Sequence, residues 1–169
     1  MRQHPPATRY WREIHAAWMA DYKRFARIRG FRSFNDWPYH RRSFIECWAE
    51  PGFHRFWQVW NPGIAWFAYR LFLLLGGRKR WVWPTFATFV LNGLLHTLVV
   101  VPFTRTWSTT IIVTFACFGI LTVASRYLAR FLRQDTWPVI VNVTVNVLLV
   151  IASFDLGFRA NRLLMAWAG

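Results

Sequence analysis

Along the chain the arrangement of apolar and polar positions changes character near Trp57. Before it, apolar residues recur at helical spacing among basic ones; after it, they gather into long runs. Three runs, residues 84–103, 107–125 and 137–154, approach the ~20 residues that an α-helix needs to cross ~30 Å of hydrocarbon. Trp83, Trp107 and Trp137 stand at their starts, where an indole ring favours the headgroup level. A further run, residues 62–75, is short, opens on Pro62 and Gly63 and contains Arg70. It reads as a re-entrant helix that enters the bilayer without crossing.

In the N-terminal part, Trp11, Ile14, Trp18, Tyr22, Phe25 and Ile28 recur every three or four residues, while Arg12, Lys23, Arg24 and Arg27 fall mostly elsewhere on the wheel. This is an amphipathic helix, and either a membrane surface or the rest of the protein accommodates its apolar stripe. Gly30 stops it, "SFNDWPYH" supplies turn chemistry, and a second short helix starts near Ser43. The expected fold is an all-α membrane protein with three transmembrane helices, the re-entrant helix and N-terminal amphipathic interfacial helices. Its two regions are a basic interfacial part, residues 1–56, and a membrane domain, residues 57–169.

Composition sharpens this picture. The chain is 55% hydrophobic, 20% aromatic and only 17% charged, with a formal net charge of +14. That charge is not gathered into one polar domain, so nucleic acid is not the expected partner; a bilayer with anionic headgroups is. Cys47 and Cys117 lie far apart without metal-ligand spacing, so neither a metal site nor a disulfide framework is expected. The basic loop "GGRKRW" and the loop carrying Arg126, Arg130 and Arg133 flank opposite ends of a two-span hairpin and therefore share a side, whereas the loop between those spans has only Arg105. By the positive-inside rule both basic loops face the cytoplasm, as in a bacterial-type inner membrane, and a re-entrant 62–75 segment keeps the N-terminus there too.

Polar residues inside the runs are the candidate chemistry. Asn92 and His96 are four residues apart and share a helix face, which Thr85 and Thr88 extend. An imidazole at mid-membrane needs a partner, so His96 meets either a neighbouring helix or a cavity holding water or substrate. Gly93 permits another backbone to approach. Asn142 and Asn146 repeat the four-residue spacing in the last span and read as glue between helices.

The stretch "FHRFWQVWNPGIAWFAYRLFLLLGGRKR", followed by an apolar helix with "LNGLLH", resembles the catalytic half of the membrane-bound O-acyltransferase family. Phe56, Trp57, Trp60 and Asn61 match its aromatic motif; Gly76, Gly77, Arg78 and Arg80 match its basic turn; Leu91, Gly93, Leu94 and His96 match the setting of its buried histidine. The resemblance implies transfer of an acyl group from acyl-CoA or another acyl thioester to a hydroxyl acceptor, with no tightly bound cofactor. It implies His96 as general base, a role suited to an imidazole whose ordinary pKa is ~6.5. Asn61 would orient the acceptor or donate to the developing oxyanion; it is equally suited to capping the helix that begins at Pro62. Trp57, Trp60, Tyr69 and Asn92 would line the substrate route, and Arg78 and Arg80 would meet the phosphates of the donor. Members of the family are usually longer. The resemblance therefore implies a cavity completed by a second copy or a partner membrane subunit, or alternatively a non-catalytic accessory subunit of a larger membrane complex that retains a remnant motif.

Overall fold

A computed structural model describes residues 18–28, 36–77, 79–105, 107 and 109–168, and among them every regular element is helical. The chain divides into two units, Met1–Arg42 and Ser43–Gly169. In the first, helix α1 covers residues 18–28. Tyr22 and Ala26, one turn apart, are buried, while Trp18 and Ile28 of the predicted stripe are exposed. Trp11 and Ile14 lie outside the described residues. Helix α2, Trp37–Glu46, begins where the Asp36 carboxylate accepts from the Tyr39 amide at 3.3 Å, satisfying a donor that the helix start leaves open.

The second unit contains a 3₁₀ turn at Cys47–Ala49, helices α3 (Phe53–Val59), α4 (Pro62–Leu74), α5 (Val82–Thr104) and α6 (Thr109–Phe131), a 3₁₀ turn at Gln134–Thr136, and α7 (Val139–Ala168). Helices α5, α6 and α7 are long and apolar enough to cross a membrane. The first two have 23 residues each, about 34 Å at ~1.5 Å per residue. They run antiparallel: Trp81 meets Tyr127 at 5.2 Å between ring centroids, and His96 meets Phe115 at 4.8 Å. Arg126 and Arg130, expected in a loop, stand on the last turns of α6, and the Arg126 guanidinium lies 4.2 Å over the Trp81 ring, so the basic end of α6 lies beside the start of α5.

Helix α7 has 30 residues and passes well beyond position 154, where the expected span stops. Asp155, read from the sequence as a boundary, pairs with Arg159 at 2.8 Å one turn on, and an ion pair at this spacing sits comfortably on a helix surface. Helix α4 has 13 residues, about 20 Å of rise, which is short of the ~30 Å hydrocarbon core.

The three long helices pack with small and polar residues inward and large apolar ones outward. Thr88, Thr97, Thr114, Thr122, Ser125, Asn142, Asn146 and Ser153 are buried, whereas Leu98, Val99, Ile120, Leu148 and Ile151 are exposed. In water this arrangement would leave the apolar faces uncovered; in lipid it is the stable one, because helices there associate by close backbone approach. Gly93 supplies such an approach, for a Cβ on it would stand 2.7 Å from Cβ of Phe115. Gly157 does the same opposite Thr114, whose Cα would be 2.8 Å away.

Residues 43–56, grouped by their sequence with the interfacial part, belong structurally to the membrane unit. The reason is aromatic packing: Cys47, Phe53, Phe56 and Phe118 form a buried core joined by Trp48, Trp57, Trp60 and Phe89. Asn146, fully buried at 0% exposure, donates from its amide to the carbonyls of Trp48 and Glu50, each at 2.9 Å. Its partner is thus the turn before α3 and not another spanning helix.

Candidate functional site

The aromatic motif is built into the core. Phe56 stacks on Trp60 with centroids 5.5 Å apart, and Trp57 meets Phe118 at 4.8 Å and Phe89 at 5.2 Å. These contacts fasten the short helix α3 onto α6 and α5 by burying large rings edge to face. Trp57 Nε1 is buried without a hydrogen-bond partner.

Asn61 follows in the left-handed region, φ 39°, and its side-chain oxygen accepts from the Ile64 amide at 3.4 Å. It caps α4, as an asparagine before a proline is suited to do. Tyr69 is exposed on α4. At the Gly-Gly turn, Gly76 has φ +84°, a conformation that favours glycine, and a Cβ on Gly77 would push the Phe72 ring aside. Arg80 is exposed there, and Arg78 lies outside the described residues.

His96 is half-buried in α5 and packs on Phe115 at a ring tilt of 34°. Its Nδ1 is 2.9 Å from the carbonyl oxygen of Asn92. A carbonyl only accepts, so Nδ1 carries the proton and Nε2 of the neutral ring is left as the acceptor. Asn92 meets the imidazole through its backbone, not its carboxamide. Elsewhere on the polar stripe, Thr85 donates back to the Trp81 carbonyl at 2.7 Å, while Thr88 Oγ1 is buried and unpartnered.

Asn61 and His96 are held by different elements. Trp57, on α3, reaches α5 at Phe89; His96 is seven residues further on, about 10 Å along the helix. No hydrogen bond or ring contact joins Asn61 to His96 among the described residues.

A second polar cluster has no counterpart in the sequence reading. His54, on α3, is half-buried with Nδ1 unpartnered, and Gln134 buries an equally unpartnered Oε1. Both press on Gly52, φ +93°, where a Cβ would stand 2.9 Å from each atom. Arg55 pairs with Asp135 at 3.2 Å across the same junction. Burial lowers the pKa of His54, and the charges of Arg55, Arg126 and Arg130 lower it further, against the opposing pull of Asp135. His54 and Gln134 are 80 positions apart, and no spacing rule connects them. Burial also pushes the Cys47 thiol up to about 12, so it is an inert core residue. Among the described residues no three His, Cys, Asp or Glu side chains gather as metal ligands.

Comparison with protein-family models, curated proteins and solved structures gives no match.

Proposed function

We propose that this chain is an integral membrane acyltransferase in which His96 is the general base. Nε2 takes the proton of an acceptor hydroxyl as its oxygen attacks the carbonyl of an acyl thioester. The C–S bond then breaks, and the departing thiolate recovers the proton from the imidazolium. No cofactor or metal enters this balance. The observation that carries the reading is the 2.9 Å bond from His96 Nδ1 to the Asn92 carbonyl, which fixes the tautomer a base requires. Arg80, with Arg78, would meet the phosphates of an acyl-CoA donor. Trp57, Trp60, Tyr69 and Asn92 would flank the substrates, and a second copy or a partner subunit would bring further walls to the pocket. In this reading α4 is re-entrant, the basic loops and N-terminus are cytoplasmic, and the membrane is a bacterial-type inner membrane.

The decisive assay supplies purified protein with labelled acyl-CoA and membrane extract. His96→Gln is expected to lower turnover on the order of 10²-fold or more; unchanged turnover contradicts the assignment. For topology, cysteines placed at Lys79, Arg130 and Arg105 are labelled from either side. The first two should react together and the third from the opposite face.

One observation favours a second reading, a non-catalytic accessory subunit. Phe56, Trp57 and Trp60 pack the core, Asn61 caps α4, and Gly93 admits α6, so most of the motif already has a structural duty. Under this reading native gels find the chain wholly within a larger assembly, and labelled acyl-CoA is not turned over.

A further inference from the structure

Contacts along α7 fix how deep its ion pair sits. Phe154 meets Phe118 of α6 at 5.5 Å between ring centroids, Gly157 lies against Thr114, and Asn161 accepts from the hydroxyl of Thr109, the residue that opens α6. Helices α6 and α7 are therefore antiparallel, and Asp155 and Arg159 fall between the levels of Phe118 and Thr109. Phe115, on which His96 packs, lies in the same stretch. Asp155 is six residues from Asn161, about 9 Å along the helix, so the pair lies within the apolar length of α6 and not at its end. Phe158, Leu163, Leu164 and Met165 beyond the pair are exposed, as are Leu148 and Ile151 before it. Apolar surface thus flanks the two charges in both directions along α7.

A carboxylate and a guanidinium at this depth remain costly even when paired, because lipid tails offer their other oxygens and N–H groups no partner. Yet the Asp155 and Arg159 side chains are 52% and 66% exposed. Arginine ordinarily escapes by extending toward the headgroups. Here Nε of Arg159 is held 2.8 Å from an Asp155 carboxylate oxygen, one turn further from the Thr109 end, which turns the side chain inward. A further polar group must therefore reach the pair. The two charges belong to a continuous stripe. Leu148, Ile151, Asp155, Phe158 and Arg162 recur at steps of three and four residues, all exposed, on the side of α7 opposite the buried Asn146, Ser153 and Gly157. That spacing is the seam along which two helices pack side by side.

We propose that this stripe is the interface between two copies of the chain, whose α7 helices run parallel in the bilayer. Copies inserted in the same direction are related by a two-fold axis along the bilayer normal, which brings the same stripe of each to the same depth. Charge complementarity selects a second copy as the occupant. Each copy presents one negative and one positive group a turn apart, and the two-fold axis sets Asp155 of each within reach of Arg159 of the other. The charges then alternate, each carboxylate meets the guanidinium of its own helix and that of its neighbour, and no net charge is left in the hydrocarbon. The inference needs neither His96 nor Asn61 and stands independently of the acyl-transfer reading.

Purified protein is reconstituted in phosphatidylcholine vesicles, and the copies in each assembly are counted by single-molecule photobleaching as the protein is diluted in lipid. Dimers are expected. A benzophenone side chain placed at Ile151 should cross-link two chains on illumination, whereas one placed at Leu98, exposed on α5, should not. Asp155→Asn and Arg159→Gln, both exposed positions that leave the packed side of α7 intact, should each weaken the dimer about tenfold. Exchange of both charges, Asp155→Arg with Arg159→Asp, keeps the alternation and should restore it. Single copies at every dilution overturn the interface, and so does a dimer that cross-links through Leu98 and not through Ile151. A dimer that both neutral variants leave as tight as the native one also overturns it, since apolar packing alone would then hold the copies together.

Discussion

His96 and His54 are both half-buried imidazoles, but they are held in opposite ways. His96 gives its Nδ1 proton to a carbonyl one turn back on its own helix, so its tautomer is set by local geometry and survives changes elsewhere. His54 shares the surroundings of Gly52 with an unpartnered oxygen from a turn 80 positions away, and burial first, then arginines from two helices, lowers its pKa. One imidazole is tied to its own helix; the other has an unpartnered Nδ1 at a junction between distant segments. The difference shows that two imidazoles of similar depth can be held by different means, one by its own helix and one by packing across a tertiary junction.

Perturbations that loosen the junction should therefore disturb His54 and spare the His96 hydrogen bond. The largest effect is expected from Phe56→Ala. Phe56 is 1% exposed, and deleting such a ring costs about 3–5 kcal/mol; denaturant unfolding in mild detergent measures it. The ¹⁵N ring signals of His54 should broaden while those of His96 stay in place. Asn146→Leu comes next. It strands the carbonyls of Trp48 and Glu50, costing about 2–3 kcal/mol in the same unfolding experiment, again with His96 unmoved. Asn61→Ala removes the α4 cap at a cost of about 1 kcal/mol. If it lowers turnover far more than it lowers stability, Asn61 has a chemical duty besides capping.

The smallest effect is pH dependence. His54 has a folded pKa below its unfolded one, so below about pH 6.5 the unfolded chain takes up a proton that the folded protein resists. Stability present above that pH should fall as the solution is acidified toward the folded pKa. Thermal scans of native protein in phosphate-free neutral detergent should show this decline, and His54→Gln should flatten it. Equal acid sensitivity of the two proteins would assign the decline to other groups.

The long helices were legible because crossing a membrane demands length and continuous apolarity, and both are written in one dimension. The Asn61 cap was legible for a similar reason, since the Asn-Pro step is a local signal. The far end of α7 was not, because Asp155 reads as a terminus until Arg159 is seen to neutralise it on the helix surface. Nor was the place of residues 43–56: basic composition outweighed Phe53 and Phe56, whose core role appears only when Phe118 and Phe89 are folded against them. Asn146 had the right chemistry but an unforeseen partner, and the His54–Gln134 junction had no signal, since it joins elements 80 positions apart. Of the candidate catalytic pair, His96 was found by its place in an apolar run and Asn61 by its step into Pro62, and the fold holds them on α5 and at the start of α4, the separate segments the reading expected.

The central claim is that the neutral ring of His96 carries its proton on Nδ1, toward the Asn92 carbonyl, and leaves Nε2 free. The most direct test is the ¹⁵N spectrum of its ring in lipid nanodiscs near neutral pH, assigned through His96→Gln. Two distinct resonances are predicted, a protonated Nδ1 and a bare, pyridine-like Nε2. A neutral ring with its proton on Nε2 contradicts the account.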